Sequence, residues 1–411
     1  MELFFYMSLV VQKYGGTSLA TVERIINVAE RIVKKYNEGN QLIIVASAMG
    51  DTTNQLVKKM NMVSDNPTPR EADMLLTTGE QISIALLTMA IQNYGCPAIS
   101  LTGSQACIKT DDKHNRAVIK DIDNKRIKKE LKKGKIAVIA GFQGINSKED
   151  FTTLGRGGSD TTTIALMVSL KADRCEIYSD VDGIYTTDPR ILPNAKKLNF
   201  ISYDEMLELS SLGAEVLHPH AVELAKLYNL KLYIASSFNN NIGTIVRGVK
   251  KMEKKRNVTG VACDSDVIKI TIKKVPDKPG IAGNIFTRLA EHRINIDMII
   301  QNLQYNNLND ISFTIHNSDF KKVKETIYNI AKNVDSRGVE IDQDVAKVSI
   351  VGAGMISTPG IAAEMFQAMG KVDVNIQMIT KSEIKISCLI KEDGAKKAVE
   401  SIHNQFNLGE L

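Results

Sequence analysis

Gly155-Arg156-Gly157-Gly158-Ser159-Asp160, inside the segment TTLGRGGSDTTT, gathers groups that could bind a charged ligand. Three glycines around an arginine let the backbone bend and come close to a ligand. Ser159 or Asp160 is placed to cap a helix over Thr161 to Leu170. A helix start with free N–H groups beside a guanidinium favours a carboxylate or a phosphate. Arg156 is suited to grip a carboxylate through two parallel hydrogen bonds. Asp160 adds the opposite sign, fitting an ammonium group or a metal. The plainer reading is a glycine turn capping a core helix, and alone the stretch favours ligand binding only modestly. The recurrence of similar loops along the chain favours chemistry.

Residues 8–12 (SLVVQ) read as a short buried strand running into Lys13-Tyr14-Gly15-Gly16-Thr17-Ser18. Glycines, a cation and hydroxyls at a strand end suit phosphate, although no GxxxxGK[ST] motif occurs. A helix follows from Thr21 to Tyr36, with Val22, Ile25, Ile26, Ala29, Ile32 and Val33 expected on one face. A second strand, Gln41 to Ala46, delivers Ser47, Met49, Gly50, Asp51, Thr52 and Thr53 to the same edge. Asp51 or Thr52 is expected to cap the next helix, and capping and substrate binding are equally good readings of these hydroxyls. A long helical region is expected from about Arg70 to Tyr94. Inside it, Gly79 costs about 1 kcal/mol and needs a reason. Glu80 lies beside an apolar face, where a carboxylate wants a cation from protein or substrate; an ordinary exposed glutamate is as good a reading. Residues 109–135 are charge-rich surface, with 125–135 read as a solvated helix face. Cys96–Leu101, Ile136–Gly141 and Arg174–Ser179 are further strands. The last delivers Asp180, then Tyr185, able to cover a purine, and Arg190, able to hold phosphate.

Behind these loops, strands alternate with helices from residue 8 to about 247, the pattern of a doubly wound α/β domain whose ligands collect at strand ends. Past the charged stretch 250–256, the chain repeats itself. Pro279-Gly280-Ile281-Ala282 returns as Pro359-Gly360-Ile361-Ala362, and Asn295-Ile296 as Asn375-Ile376, each offset by 80 positions. Each copy suits a ferredoxin-like βαββαβ module, and two such small cores are expected to pair. A chain of 411 residues makes two to three domains. Aromatics at 5% with no Trp make a poor stacking platform for sugars or single strands, and a net charge of +5 argues no nucleic acid. Five scattered cysteines read as core thiols in a reducing cytoplasm. Residues 1–11 are apolar but too short to span a bilayer and carry Glu2, so neither leader nor membrane segment is expected; Met7 is a second possible start.

KYGGTS from Lys13, SAMGDTTN from Ser47, TTGEQ from Thr77, LGRGGSD from Leu154, SDVDGIYTTDPR from Ser179, GAEVLHP from Gly213 and the tandem repeat together resemble the amino-acid kinase superfamily. More narrowly, they resemble the aspartokinases with two C-terminal ACT domains. The resemblance implies a catalytic domain over 7–249, a linker over 250–257, and ACT domains over 258–340 and 341–411. It implies ATP-dependent phosphorylation of the β-carboxylate of L-aspartate, with Mg2+ bridging the phosphates and no dedicated metal site. By the same resemblance Lys13, Arg156 and Asp160 are catalytic, and Ser47, Thr53, Glu80, Arg156 and Ser159 hold aspartate. Lys13, Tyr14, Gly15, Gly16, Ser179, Asp180, Tyr185 and Arg190 line the nucleotide. Asp277, Gly280, Ala282, Asn295, Ile296, Gln301, Asn375 and Ile376 are implied around a feedback effector, lysine before threonine, or both. No histidine is required, so His218 is read as structural. Glu215 departs from the family, which commonly has lysine there. A cytoplasmic homodimer, or dimer of dimers, through the ACT domains is expected. The rival expectations are a glutamate-type kinase of the same superfamily and an amino-acid sensor with a degenerate kinase domain.

Overall fold

The computed structural model describes residues 8–212, 216–249, 256–292, 294–304 and 307–410. Met7, Glu215 and linker positions 250–255 lie outside the described residues. The chain divides into two compact units. The first comprises Met1–Ile184, Lys197–Ser210 and Glu215–Glu253, and the second Tyr185–Lys196, Ser211–Ala214 and Lys254–Leu411.

The first unit is built on strands β1 (Leu9–Tyr14), β2 (Gln41–Ala46), β3 (Ala98–Leu101), β4 (Ile108–Thr110), β5 (Ile119–Ile122), β6 (Ile136–Ala140), β7 (Gln143–Ile145), β8 (Phe151–Thr153), β9 (Arg174–Ser179), β10 (Phe200–Ser202), β11 (Leu232–Ser236) and β12 (Thr244–Arg247). Eight form one sheet, ordered β10-β12-β11-β9-β1-β2-β6-β3. Its pairs are parallel except β11 with β12. Its central strands are near-continuous apolar runs (LVVQKY, QLIIVA, IAVIA), as a sheet covered on both faces requires. A small second sheet, β5-β4-β7-β8, stands beside it. The helices are α1 (Val22–Asn37), α2 (Thr52–Val63), α3 (Pro69–Leu76), α4 (Thr78–Asn93), α5 (Lys125–Lys132), α6 (Gly158–Leu170), α7 (Tyr203–Ser211) and α8 (Pro219–Leu227).

Four expectations need correction. The buried stripe of α1 is Ile25, Val28, Ala29 and Ile32, whereas Val22 and Ile26 are exposed, because Val28 continues the 3.6-residue stripe that Ile26 leaves. The helical region from Arg70 breaks at Thr77 into α3 and α4. There Gly79 finds its reason: a Cβ on it would lie 3.0 Å from the Ala48 Cβ. Helix α6 is not capped by Ser159 or Asp160. It starts from Gly157 at φ 67°, a left-handed conformation that glycine adopts without strain, and both side chains fall inside the first turn. Asp51 makes no capping bond to α2 either, and the Thr52 hydroxyl donates instead to the Met49 carbonyl. Along α5, Ile127 and Leu131 are buried, and Glu130 is held between Lys133 and Lys135, so this charged run is amphipathic. Residues 69–93 are long and apolar enough to cross a membrane by composition, but half of that window is buried.

In the second unit, β14 (Val267–Pro276), α9 (Ile281–Glu291), β15 (Ile299–Gln304), β16 (Leu308–His316), α10 (Asn317–Asn333) and β17 (Gly338–Asp342) follow β13 (Gly260–Asp264). They form a βαββαβ module with sheet order β15-β16-β14-β17. Next come β18 (Val345–Val351), α11 (Ile361–Gly370), β19 (Ile376–Lys381), β20 (Lys385–Lys391) and α12 (Ala395–Gln405). This second sheet is ordered β13-β18-β20-β19, so its fourth strand is supplied from before the first module. The sequential reading of the two copies is corrected there. The Pro-Gly repeats both end in a left-handed glycine that starts a helix, Gly280 at φ 90° and Gly360 at φ 95°. Val267, Met298, Val345, Met378 and Leu389 make an apolar cluster drawn from both modules.

The segment Tyr185–Lys196 is pinned within this unit. Val261 N–H donates to the Thr186 carbonyl at 2.7 Å, and the Thr186 hydroxyl meets His403 Nε2 at 2.9 Å. His403 is fully buried and its Nδ1 has no partner. Burial holds its pKa below the ordinary imidazole range. The unfolded chain therefore binds a proton more readily, and this contribution is present above about pH 6.5 and is lost as pH falls. We expect calorimetry to show the second unit losing stability below that pH, and His403→Gln to flatten the loss by about 2–4 °C in Tm.

Candidate active site

Hydrogen bonds continue the parallel ladders past the strand ends and set the loops side by side. Gly15 N–H donates to the Tyr178 carbonyl, Ser47 N–H to Tyr14, Gly141 N–H to Ala46, and Ser237 N–H to Ser179, all within 2.9–3.1 Å. The loops after β1 and β2 touch directly through Gly50 N–H and the Gly16 carbonyl, 2.9 Å. Gly16 is obligatory there, since a Cβ would stand 2.8 Å from the Ala48 carbonyl oxygen. Ser159 packs against the end of β6, where a Cβ on Gly141 would meet its Oγ at 2.6 Å.

Lys13 leaves the end of β1 and Asp160 enters from the first turn of α6. Their Nζ and Oδ1 are 2.8 Å apart, nearly buried, at an angle that makes the contact an ion pair rather than a hydrogen bond. Neutralised together, they keep a cation in place without a net buried charge. Arg156 stands between two left-handed glycines, Gly155 at φ 76° and Gly157 at φ 67°. Its side chain is exposed and makes no hydrogen bond or ion pair among the described residues. Gly157 carries the imidazole of His218 so closely that a Cβ would lie 2.2 Å from its Cγ. Burial lowers the His218 pKa, and its Nδ1 accepts from His220 N–H at the start of α8, a structural arrangement. An open trough of about 770 Å³, bordered by Arg116, Arg156, Ile164, His218 and Tyr228, runs beside the guanidinium.

Glu80 is 3% exposed on α4. One carboxylate oxygen accepts from Ala48 N–H at 3.2 Å, and the other has no partner. Burial pushes its pKa up to about 8. Among the described residues no cation stands against it, so one oxygen of this buried carboxyl is left vacant. Ser47 and Thr53, both half-buried, flank the loop that binds it. The first unit thus joins Lys13, Gly15, Gly16, Ser47, Thr53, Glu80, Arg156, Ser159, Asp160, Ser179 and Asp180. Tyr14 contributes only backbone: its ring is fully buried, stacked 5.1 Å from Tyr178, with its hydroxyl donating to Gln12.

Tyr185 and Arg190 belong to the second unit, where the Arg190 guanidinium is engaged by Asp188 at 2.7 Å. There too Asp277, 280, 282, Asn295, Gln301 and Asn375 are exposed, Ile296 and Ile376 are half-buried, and Asp277 accepts from the Asn309 amide at 2.9 Å. Among the described residues no cluster of three or more His, Cys, Asp or Glu side chains could hold a metal. The sequence reading missed Asp73, a fully buried carboxylate on α3. An acid within the apolar run ADMLL was the available signal, the same kind that singled out Glu80.

The amino acid kinase family matches residues 8–236, and the ACT domain family matches 270–330 and 348–406. An aspartokinase of Corynebacterium glutamicum is 48% identical over 410 residues, covering 98% of this chain and 97% of that one. Aspartokinase 2 of Bacillus subtilis is 46% identical over 402 residues, covering 98% of each. The solved structure of E. coli aspartokinase III, in complex with aspartate and ADP, superposes with a TM-score of 0.79 over 97% of this chain and 99% of that one, at 24% identity.

Because the Glu80 pKa is raised in the folded protein, the carboxyl favours folding below its unfolded pKa, and this is lost as pH rises toward 8. Glu80→Gln removes that penalty. We expect the variant to melt about 2–4 °C above the parent at pH 8, with the gap closing toward pH 5 in a calorimetric series.

Proposed function

The chain belongs to the amino-acid kinase family, among the aspartokinases with paired ACT domains, and we infer that it phosphorylates the β-carboxylate of L-aspartate with ATP. The observation that carries the substrate is the pairing of opposite vacancies: a buried carboxylate oxygen on Glu80 and an unengaged guanidinium on Arg156. An amino acid supplies both complements. Glu80 takes the ammonium, giving up its proton as the ligand's charge arrives, and Arg156 takes a carboxylate with two parallel bonds. Ser47, Thr53 and Ser159 supply hydroxyls around the same ligand.

The attacking carboxylate has a pKa near ~3.9 and is ionised before it reacts, so no general base is needed. The difficulty is bringing two anions together in line. Lys13 meets the phosphoryl group in transfer, and Gly15 and Gly16 let backbone N–H groups approach it. Asp160 holds Lys13 in place before the phosphates arrive. Ser179 and Asp180 at the end of β9, with Tyr185 and Arg190 further on, are our nucleotide contacts. Mg2+ would come with ATP and screen the charge of its phosphates. The product, 4-phospho-L-aspartate, opens the routes to lysine, threonine, methionine and diaminopimelate. The five cysteines are free, which supports a cytoplasmic enzyme.

A coupled assay offering aspartate, glutamate and UMP tests the substrate; preference for glutamate or UMP ends this reading. Arg156→Ala should raise the KM for aspartate about 10–100-fold and leave the KM for ATP within about threefold. Lys13→Ala should lower kcat about 10²–10³-fold. Equal effects of both variants on ATP binding alone would contradict these roles.

For the ACT pair we propose end-product inhibition, lysine first and threonine second, in a homodimer or dimer of dimers joined through these modules. Asp277, Gly280, Ala282, Asn295, Ile296 and Gln301, with Asn375 and Ile376 of the second copy, are the effector contacts. Truncation after residue 256 is a poor test, since it strips the pinned segment Tyr185–Lys196 of Val261 and His403. Titration of activity against lysine, threonine and both should show inhibition. Asn295→Ala should raise the half-inhibiting concentration about tenfold with kcat unchanged; unaltered inhibition would move the effector elsewhere.

A further inference from the structure

Asp73 sits on α3 with no exposed surface, seven positions before Glu80, and takes no part in the chemistry above. Burying a carboxylate costs several kcal/mol unless hydrogen bonds repay it. Four contacts do so here. His114 Nδ1 lies at 2.8 Å, Asn115 N–H donates to both oxygens at 3.1 Å, and the Thr153 hydroxyl donates at 2.6 Å. These partners are remote in sequence, so one side chain draws three segments together. The first is the helix leading to α4 and Glu80. The second is the loop at 114–116, and the third is the end of β8, three residues before Arg156.

The join continues at Gly155. Ala117 N–H donates to the Thr153 carbonyl at 2.9 Å, and a Cβ on Gly155 would come within 3.3 Å of the Asn115 carbonyl oxygen. The 114–117 loop therefore lies along the backbone that presents Arg156. Arg70 adds a second tie from α3, donating through Nε to Asp150 at 3.1 Å. Among the described residues Arg156 has no side-chain partner of its own, so its aim is set by the backbone at 153–157. From this geometry we propose that Asp73 is a positioning residue: through Thr153 and the 114–116 loop it fixes the distance between the ammonium receptor and the carboxylate grip. The inference rests on the assignment of Glu80 and Arg156 to the substrate.

The test is steady-state kinetics on the full chain carrying Asp73→Asn, Thr153→Val, Thr153→Ser and, as a reference, Arg156→Ala. Asparagine keeps the shape but turns a donor toward donors. We expect Asp73→Asn and Thr153→Val each to raise the KM for aspartate about tenfold or more, with the KM for ATP within about twofold. Thr153→Ser, which restores the hydroxyl, should return it to near the parent value. A lowered Tm with unchanged KM for aspartate in both variants overturns the proposal, leaving Asp73 a packing residue. Should Asp73→Asn not fold, the Thr153→Val and Thr153→Ser pair decides alone. If Arg156→Ala itself leaves the aspartate KM unchanged, the substrate assignment fails, and that result is separable from failure of the Asp73 role.

Discussion

The parallel ladder of β11-β9-β1-β2-β6 does not stop where the strands do. Carbonyls at or next to the strand ends accept from the first N–H of a neighbour's loop, at Gly15, Ser47, Gly141 and Ser237. A parallel sheet aligns strand directions, but loops beyond it are free to splay unless something holds them. These four bonds hold them, and the backbone they fix carries Lys13, Ser47 and Ser179. Lys13 is the penultimate residue of β1, Ser47 follows β2 directly, and Ser179 ends β9. Glycine at 16 and 141 is what lets the loops lie so close, since a side chain at either would strike a neighbour.

Charge in this site is arranged as one closed pair and two open ends. Lys13 and Asp160 neutralise each other, so the buried lysine costs less than it would alone. Glu80 and Arg156 are left open, one buried and one exposed. An open buried carboxylate weakens the fold, and its raised pKa is the measure of that. The fold tolerates it because the rest of the unit is a well-covered apolar sheet.

The site was readable from the chain wherever the signal was local. Gly155 to Asp160, Lys13 to Gly16 and Thr77 to Glu80 each place glycine beside charge at a strand or helix boundary, and the sheet brings them to one edge. What escaped depends on partners far along the chain. Asp73 is acidic within an apolar run, like Glu80, but its meaning comes from Thr153 and His114, 80 and 41 positions away. Tyr14 looked like part of a loop because it precedes Gly15, yet strand alternation turns its ring into the core against Tyr178. The two repeats announced two similar modules through their Pro-Gly and Asn-Ile signatures. They could not announce which strand completes which sheet: Gly260-Val261 and Asp264 of β13 recur as Gly338-Val339 and Asp342 of β17, so the pattern offers either strand to either sheet, and only the pairing of β13 with β18 and of β17 with β14 decides.

That exchange of a strand has an outcome for how the chain is made. β13 leaves the ribosome before any part of its own sheet exists, and the whole first module is synthesised before β18 arrives to receive it. The first module can close while the nascent chain grows. The second must keep an early strand waiting through that interval and close last, around a finished neighbour. A ring of chain is thereby tied shut at β13 and β18, with the first module held inside it. The second module cannot be cut out, swapped or duplicated as residues 345–405 alone without leaving an open sheet edge behind.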